Sequence, residues 1–214
     1  MNERQSSIPP AWRAEHYDRA SIALHWASAI LIGINWMLGQ GFSFIPRGSP
    51  RTDVVSTHML IGLSVGLMLL ARLAWRAGPG RRLAAEPGLL GLAAKTLHGT
   101  LYAVIGATVL AGLSAALSHG FHLYGASILP RLDFWPRGPL FQLSHWHGKL
   151  ADLLIILAGL HALAALWHHA IQGDAILLRM APFLPSGLRP PRYRSRPNGP
   201  DAAAPGLAPP LRDS

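Results

Sequence analysis

The sequence predicts an all-α membrane protein, a four-transmembrane-helix bundle, and three observations carry that prediction. Four segments, at roughly 20–40, 57–76, 95–118 and 144–171, are apolar and long enough to span a hydrocarbon core of about 30 Å. Half of the 214 residues are apolar and only 14% are charged, where a soluble chain carries about 25% charge. The arginines and lysines fall between the apolar segments, beyond them or toward their ends.

The elements follow in order. The arm MNERQSSIPPAWRAEHYDRA is too long and too acidic for the basic region of a signal peptide. No small-residue cleavage site follows the first apolar segment directly, so that segment is expected to be retained as the first helix. The connection 77–94, AGPGRRLAAEPGLLGLAA, reads as a Gly/Pro-rich turn between the second and third helices. The 119–143 connection is longer and aromatic, a loop able to lie over one mouth of the bundle. After LLRMAPF the chain turns rich in Pro, Arg and small residues, which predicts a membrane domain over 1–184 and a disordered tail over 185–214.

Four spans put both termini on one side. Fourteen of the nineteen Lys and Arg fall there; Arg47, Arg51, Arg131, Arg137 and Lys149 fall on the other. By the positive-inside rule both termini are expected to be cytoplasmic and the tail with them. The formal charge of +9 therefore reads as a topology signal rather than as a nucleic-acid footprint. Trp26, Trp36, Trp75, Trp135, Trp146 and Trp167 lie near predicted span ends, where an aromatic belt accounts for them.

The chain has no cysteine, which excludes disulfides, thiolate metal sites, iron–sulfur clusters and a cysteine nucleophile. Histidine carries the remaining signal. In HWHGKLADLLIILAGLH, His147 and His161 are fourteen residues apart, about 21 Å of rise and close to four turns, so they share a face of one helix. His25 lies near the cytoplasmic start of the first helix, at the depth of His161. His58 opens the second helix from the external side, at the depth of His147.

Two cross-helix pairs result, His25 with His161 and His58 with His147. Two neutral imidazoles facing each other in a bundle core suit the axial positions of a six-coordinate b-type haem. Zinc is the rival ligand, but it wants three or four donors around one point, and Asp152 is the only acid well inside a span. Interfacial or hydrogen-bonded core histidines remain the alternative for any one of the four. Gly62 and Gly66 share a face with His58, leaving room for a flat ring or allowing close helix packing.

YDRASIALHW, HMLIGLSVGLMLLARLAWR, LHGTLYAVIGATVLAGL and WHGKLADLLIILAGLHALAALWHH followed by LLRMAP together resemble the bacterial cytochrome b561 family over roughly residues 17–182. That resemblance implies a dihaem inner-membrane protein with two haem b, whose iron ligands fall on His25, His58, His147 and His161. It also implies electron transfer between an external one-electron donor and the ubiquinone pool. One branch of the family is a superoxide oxidase, a superoxide:ubiquinone oxidoreductase. The external cations, in excess over Asp53 and Asp133, could steer such an anion, dock an acidic protein or simply be solvated.

Arg72 and Arg76, with Arg19, lie where they could pair with haem propionates, though topology alone would also place them there. His98, His119, His122, His145, His168 and His169 receive no assigned role. Two alternatives stand beside the superoxide reading: a cytochrome b anchor subunit for a periplasmic dehydrogenase or hydrogenase, and a haem-free metal-ion carrier.

Overall fold

The computed structural model describes residues 16–80, 88–132, 138–172 and 176–181. The predicted tail 185–214, the N-terminal arm before residue 16, and Arg81, Arg82, Asp133, Trp135 and Arg137 lie outside these residues. Four helices are long and apolar enough to cross a membrane. They are α1 (Arg19–Gly41), α2 (Ser49–Ala77), α3 (Gly88–His119) and the fourth span, in which a short α4 (Pro139–Ser144) leads through His145 into α5 (Trp146–Trp167).

The start of each helix follows from local chemistry. Asp18 caps α1, its carboxylate accepting from the Ser21 amide at 2.9 Å and the Ser21 hydroxyl at 2.8 Å, which satisfies orphan donors of the first turn. Gly48, at φ 137°, precedes α2, and a proline occupies its first turn, where a missing N–H costs nothing. The polar stretch 49–56 is thus helical although it is too polar to read as membrane span, and α2 starts earlier than the apolar pattern indicated. α3 likewise starts at Gly88 rather than near 95.

The interior and exterior follow the rule for membrane bundles. Large apolar side chains such as Leu67, Leu110, Ile156 and Leu163 point outward, into what is lipid rather than water. The buried faces carry small residues, including Ser28, Ser56, Thr108, Ser114 and Ser118. Each of their hydroxyls donates back to a carbonyl of its own helix, as Ser28 does to Leu24 at 2.6 Å and Thr108 to Val104 at 2.7 Å. Backbones can then approach closely without an unpaired polar atom in the bilayer.

α1 packs on α2, α2 on α3 and α3 on α5. Midway across, Val65, Ile105 and Leu154 form an apolar cluster with Leu31, Ile32, Leu69, Leu101, Val104 and Val109 around them. Among the described residues one hairpin departs from the helices. β1 (Phe121–Leu123) and β2 (Ala126–Leu129) form an antiparallel hairpin, turned at Tyr124 (φ 48°) and Gly125 (φ 85°), the paired left-handed geometry that tight hairpins need. The Tyr124 amide donates to Ser56 at 2.8 Å, docking the hairpin on the start of α2. The two ends of the bundle are called below the hairpin side and the terminal side, the latter carrying Tyr17, whose amide bonds the Arg179 carbonyl at 3.2 Å.

Candidate functional site

On the hairpin side α2 and α5 bring His58 and His147 together, ring centroids 5.8 Å apart and planes at 85°. On the terminal side α1 and α5 bring His25 and His161 to 6.3 Å and 71°. A metal–imidazole bond is about 2 Å, so two rings on opposite sides of one ion have centroids roughly 6 Å apart. Both pairs have that spacing.

The hairpin-side pair is also prepared chemically. His58 Nδ1 lies 3.0 Å from the Asn35 carbonyl oxygen and His147 Nδ1 lies 2.9 Å from the Thr108 carbonyl oxygen. A carbonyl only accepts, so each Nδ1 carries the ring proton and each Nε2 keeps a lone pair for a metal. These carbonyls are reachable because the residue four positions on, at the next helical turn, is glycine in both cases. A Cβ on Gly112 would stand 2.8 Å from the His147 ring, and one on Gly39 would stand 3.2 Å from the His58 ring.

Beside these rings opens a cavity of about 580 Å³ lined by His58, Gly62, Gly112, His147, Arg47 and Arg51, with the hairpin's Phe121 and His122 and the end of α3 at His119. Its size lies within the usual range for ligand pockets, about 300–1,000 Å³. Asn35 also lines it, and Asn35 Oδ1 is buried without a hydrogen-bond partner. The imidazole pair, the free Nε2 atoms, the glycine clearance and the cavity fit a haem.

The terminal-side pair has different company. Arg72 Nη2 lies 3.4 Å from His25 Nδ1 and 3.4 Å from the Tyr102 hydroxyl, with its guanidinium carbon 5.3 Å from the Tyr102 ring centre. His98 sets its ring 5.0 Å from that of His161 and its Nδ1 2.6 Å from the Ala94 carbonyl oxygen. Trp26 stacks edgewise on His25 at 5.6 Å.

The other candidates disperse. Arg76 is exposed in the last turn of α2 and Arg19 is exposed at the start of α1. Gly62 lines the cavity, whereas a Cβ on Gly66 would meet Val109 at 3.1 Å, so Gly66 serves α2–α3 packing. His145 precedes α5 and packs on Phe141 at 4.7 Å. His168 and His169 open a wide helical turn after α5. Three tryptophans do more than mark an interface: the indole N–H of Trp26 donates to the Met180 carbonyl, that of Trp75 to Asp18 and that of Trp36 to Asp152.

Gly39 and Gly112 escaped the sequence reading and His98 received no role in it, and a signal for all three exists. Each long helix carries two site residues fourteen positions apart: His25 and Gly39, His58 and Arg72, His98 and Gly112, His147 and His161. One residue of each pair stands in the hairpin-side layer and the other in the terminal-side layer.

Residues 16–183 match the family model described as prokaryotic cytochrome b561. The chain is 28% identical over 171 residues to a probable superoxide oxidase of Yersinia pestis, covering 78% of this chain and 96% of that one. It is 27% identical over 172 residues to cytochrome b561 homolog 1 of Escherichia coli K12, covering 78% and 97%. It is 28% identical over 178 residues to cytochrome b562 of Cereibacter sphaeroides, covering 77% and 94%.

Proposed function

The chain belongs to the prokaryotic cytochrome b561 family, multi-pass membrane cytochromes of electron transfer with haem b, and from that premise we propose that it is a superoxide:ubiquinone oxidoreductase with two haems. His58 and His147 hold one haem, His25 and His161 the other. The observation that carries this reading is the pair of imidazole pairs at two depths, 5.8 and 6.3 Å between rings. When bound, haem would supply one-electron chemistry, and imidazole ligation by these residues would favour outer-sphere transfer over oxygen binding.

The remaining work falls to the chain. The carbonyls of Asn35 and Thr108 hold the ring proton on Nδ1 of His58 and His147. The cluster around Val65, Ile105 and Leu154 keeps water from the space between the two levels. Arg47 and Arg51 line the hairpin-side cavity and, with exposed Arg131 and Lys149, attract a small anion. The Lys/Arg distribution supports a hairpin side facing the periplasm and cytoplasmic termini in a bacterial inner membrane. The balance is two superoxide, one quinone and two protons to two dioxygen and one quinol.

One observation favours a second reading, an anchor cytochrome for a periplasmic dehydrogenase or hydrogenase. The hairpin exposes Tyr124 at its turn and Ile128 and Leu129 on its edge strand β2, a surface suited to a protein partner. The test of both is the detergent-purified protein, assayed by pyridine haemochrome and then given a superoxide flux with ubiquinone. Two haems per chain and superoxide-dependent quinol formation are expected. Two haems without that activity would transfer the donor role to a protein, and absence of haem would overturn the site.

A further inference from the structure

The Nδ1 atoms of His58, His147 and His25 face opposite kinds of group. On the hairpin side both Nδ1 atoms face carbonyl oxygens, at 3.0 and 2.9 Å. On the terminal side His25 Nδ1 faces a guanidinium at 3.4 Å. An acceptor behind an imidazole raises its basicity toward the metal and stabilises the oxidised ion. A cation behind it withdraws electron density and, by Coulomb repulsion, favours the reduced ion. Second-shell bonding and nearby charge are the levers a protein has on such potentials.

We propose that Arg72 holds the terminal-side haem at a higher reduction potential than the hairpin-side haem, so that electrons run from the hairpin side to the terminal side. The inference rests on the two-haem reading above and adds the residue that gives the path its direction. In this structure the guanidinium, which has no acceptor, donates to His25 Nδ1; with His25 Nε2 given to a metal, Nδ1 would carry the ring proton and Arg72 would act on the ring as a charge. One electron leaves the hairpin-side site and one arrives at the terminal-side site, with no bond or proton change between them.

Three features support Arg72 in this role. A charge within a span is costly and is retained for a reason, and among the described residues this guanidinium reaches His25 Nδ1 and the Tyr102 hydroxyl. Arginine stays protonated at any working pH, so the bias is permanent. Arg72 also stands fourteen residues after His58 on the same helix, which places this cation directly behind the His25 ring, whereas the groups behind His58 and His147 are carbonyls and the hairpin-side arginines, Arg47 and Arg51, line the cavity instead.

The experiment is a spectroelectrochemical titration of the full-length protein purified with its haem, as wild type, R72Q, R72K and Y102F. Wild type is expected to show two resolved potentials. R72Q should lower the upper one by about 59 mV or more, tenfold in the equilibrium constant of a one-electron exchange, and leave the lower one in place. R72K, which keeps the charge, should keep most of the gap. Y102F, which removes one tether of Arg72 and keeps the fold, should give a smaller shift in the same direction, and carries the test if R72Q fails to assemble. An unchanged upper potential in R72Q, or in Y102F where R72Q cannot be made, overturns the inference while two haems per chain keep the reading beneath it. Fewer than two haems in wild type overturns that reading instead.

Discussion

The hairpin-side and terminal-side histidine pairs are the same chemistry in two different settings. Each is two imidazoles from two helices, at 5.8 and 6.3 Å. The first is anchored on carbonyls, cleared by glycines and opens on a cavity of about 580 Å³. The second is boxed by Arg72, Tyr102, His98 and Trp26. The difference teaches that ligand identity and ligand tuning are separate properties. The two pairs offer the same donors, and their neighbours differ.

Removal of one pair has the largest expected effect. His147→Ala and His161→Ala should each halve the haem content by pyridine haemochrome, and the haem that remains should differ in potential between the two variants. Equal residual potentials would mean that the two settings are equivalent.

The next effect is steric and one-sided. Gly112→Ala puts a methyl group 2.8 Å from the His147 ring, too close for a Cβ, so the ring must leave its place. The hairpin-side haem should be lost or turn high-spin in the optical and EPR spectra, with the terminal-side haem intact. Gly39→Ala, at 3.2 Å from His58, should do the same more weakly. Gly66→Ala should cost thermal stability and leave both haem spectra alone.

Asp152 sharpens the comparison from outside both pairs. Its Oδ1 accepts from Trp36 and from Gln40, each at 2.9 Å, across the α1–α5 seam. Asp152→Leu strands two donors, and a loss of roughly 1–3 kcal/mol is expected. Thermal unfolding in detergent should register it with no change in either potential.

The smallest effect belongs to the hairpin-side rim. Arg47→Gln with Arg51→Gln should lower the superoxide-dependent rate a few-fold at low salt, and the difference from wild type should fade as ionic strength rises. A salt-independent difference would point to a structural role for these arginines.

Much of this was legible because it is local or one-dimensional. Four apolar segments identify four spans, and the rise of 1.5 Å per residue turns a fourteen-residue spacing into two depths. His25, His58, His147 and His161 could therefore be paired before any coordinates. Helix starts were less legible at α2, where the residues from Ser49 to Ser56 are polar but capped and initiated by Gly48 and a proline. The β-hairpin rests on the adjacent positive φ angles at Tyr124 and Gly125, which composition does not announce.

By itself, the sequence determined the membrane class, the number of spans and the matched levels of His25 with His161 and of His58 with His147, because these depend on transfer of side chains to lipid and on helix pitch. The tertiary structure alone decided that Gly39 and Gly112 clear the way for imidazoles, that Trp36 and Gln40 satisfy Asp152, and that Arg72 rather than a carbonyl stands behind His25. Those outcomes depend on the rotation and offset of one helix against another, and a contact of about 3 Å is set by packing across the bundle, which no spacing along a single helix specifies.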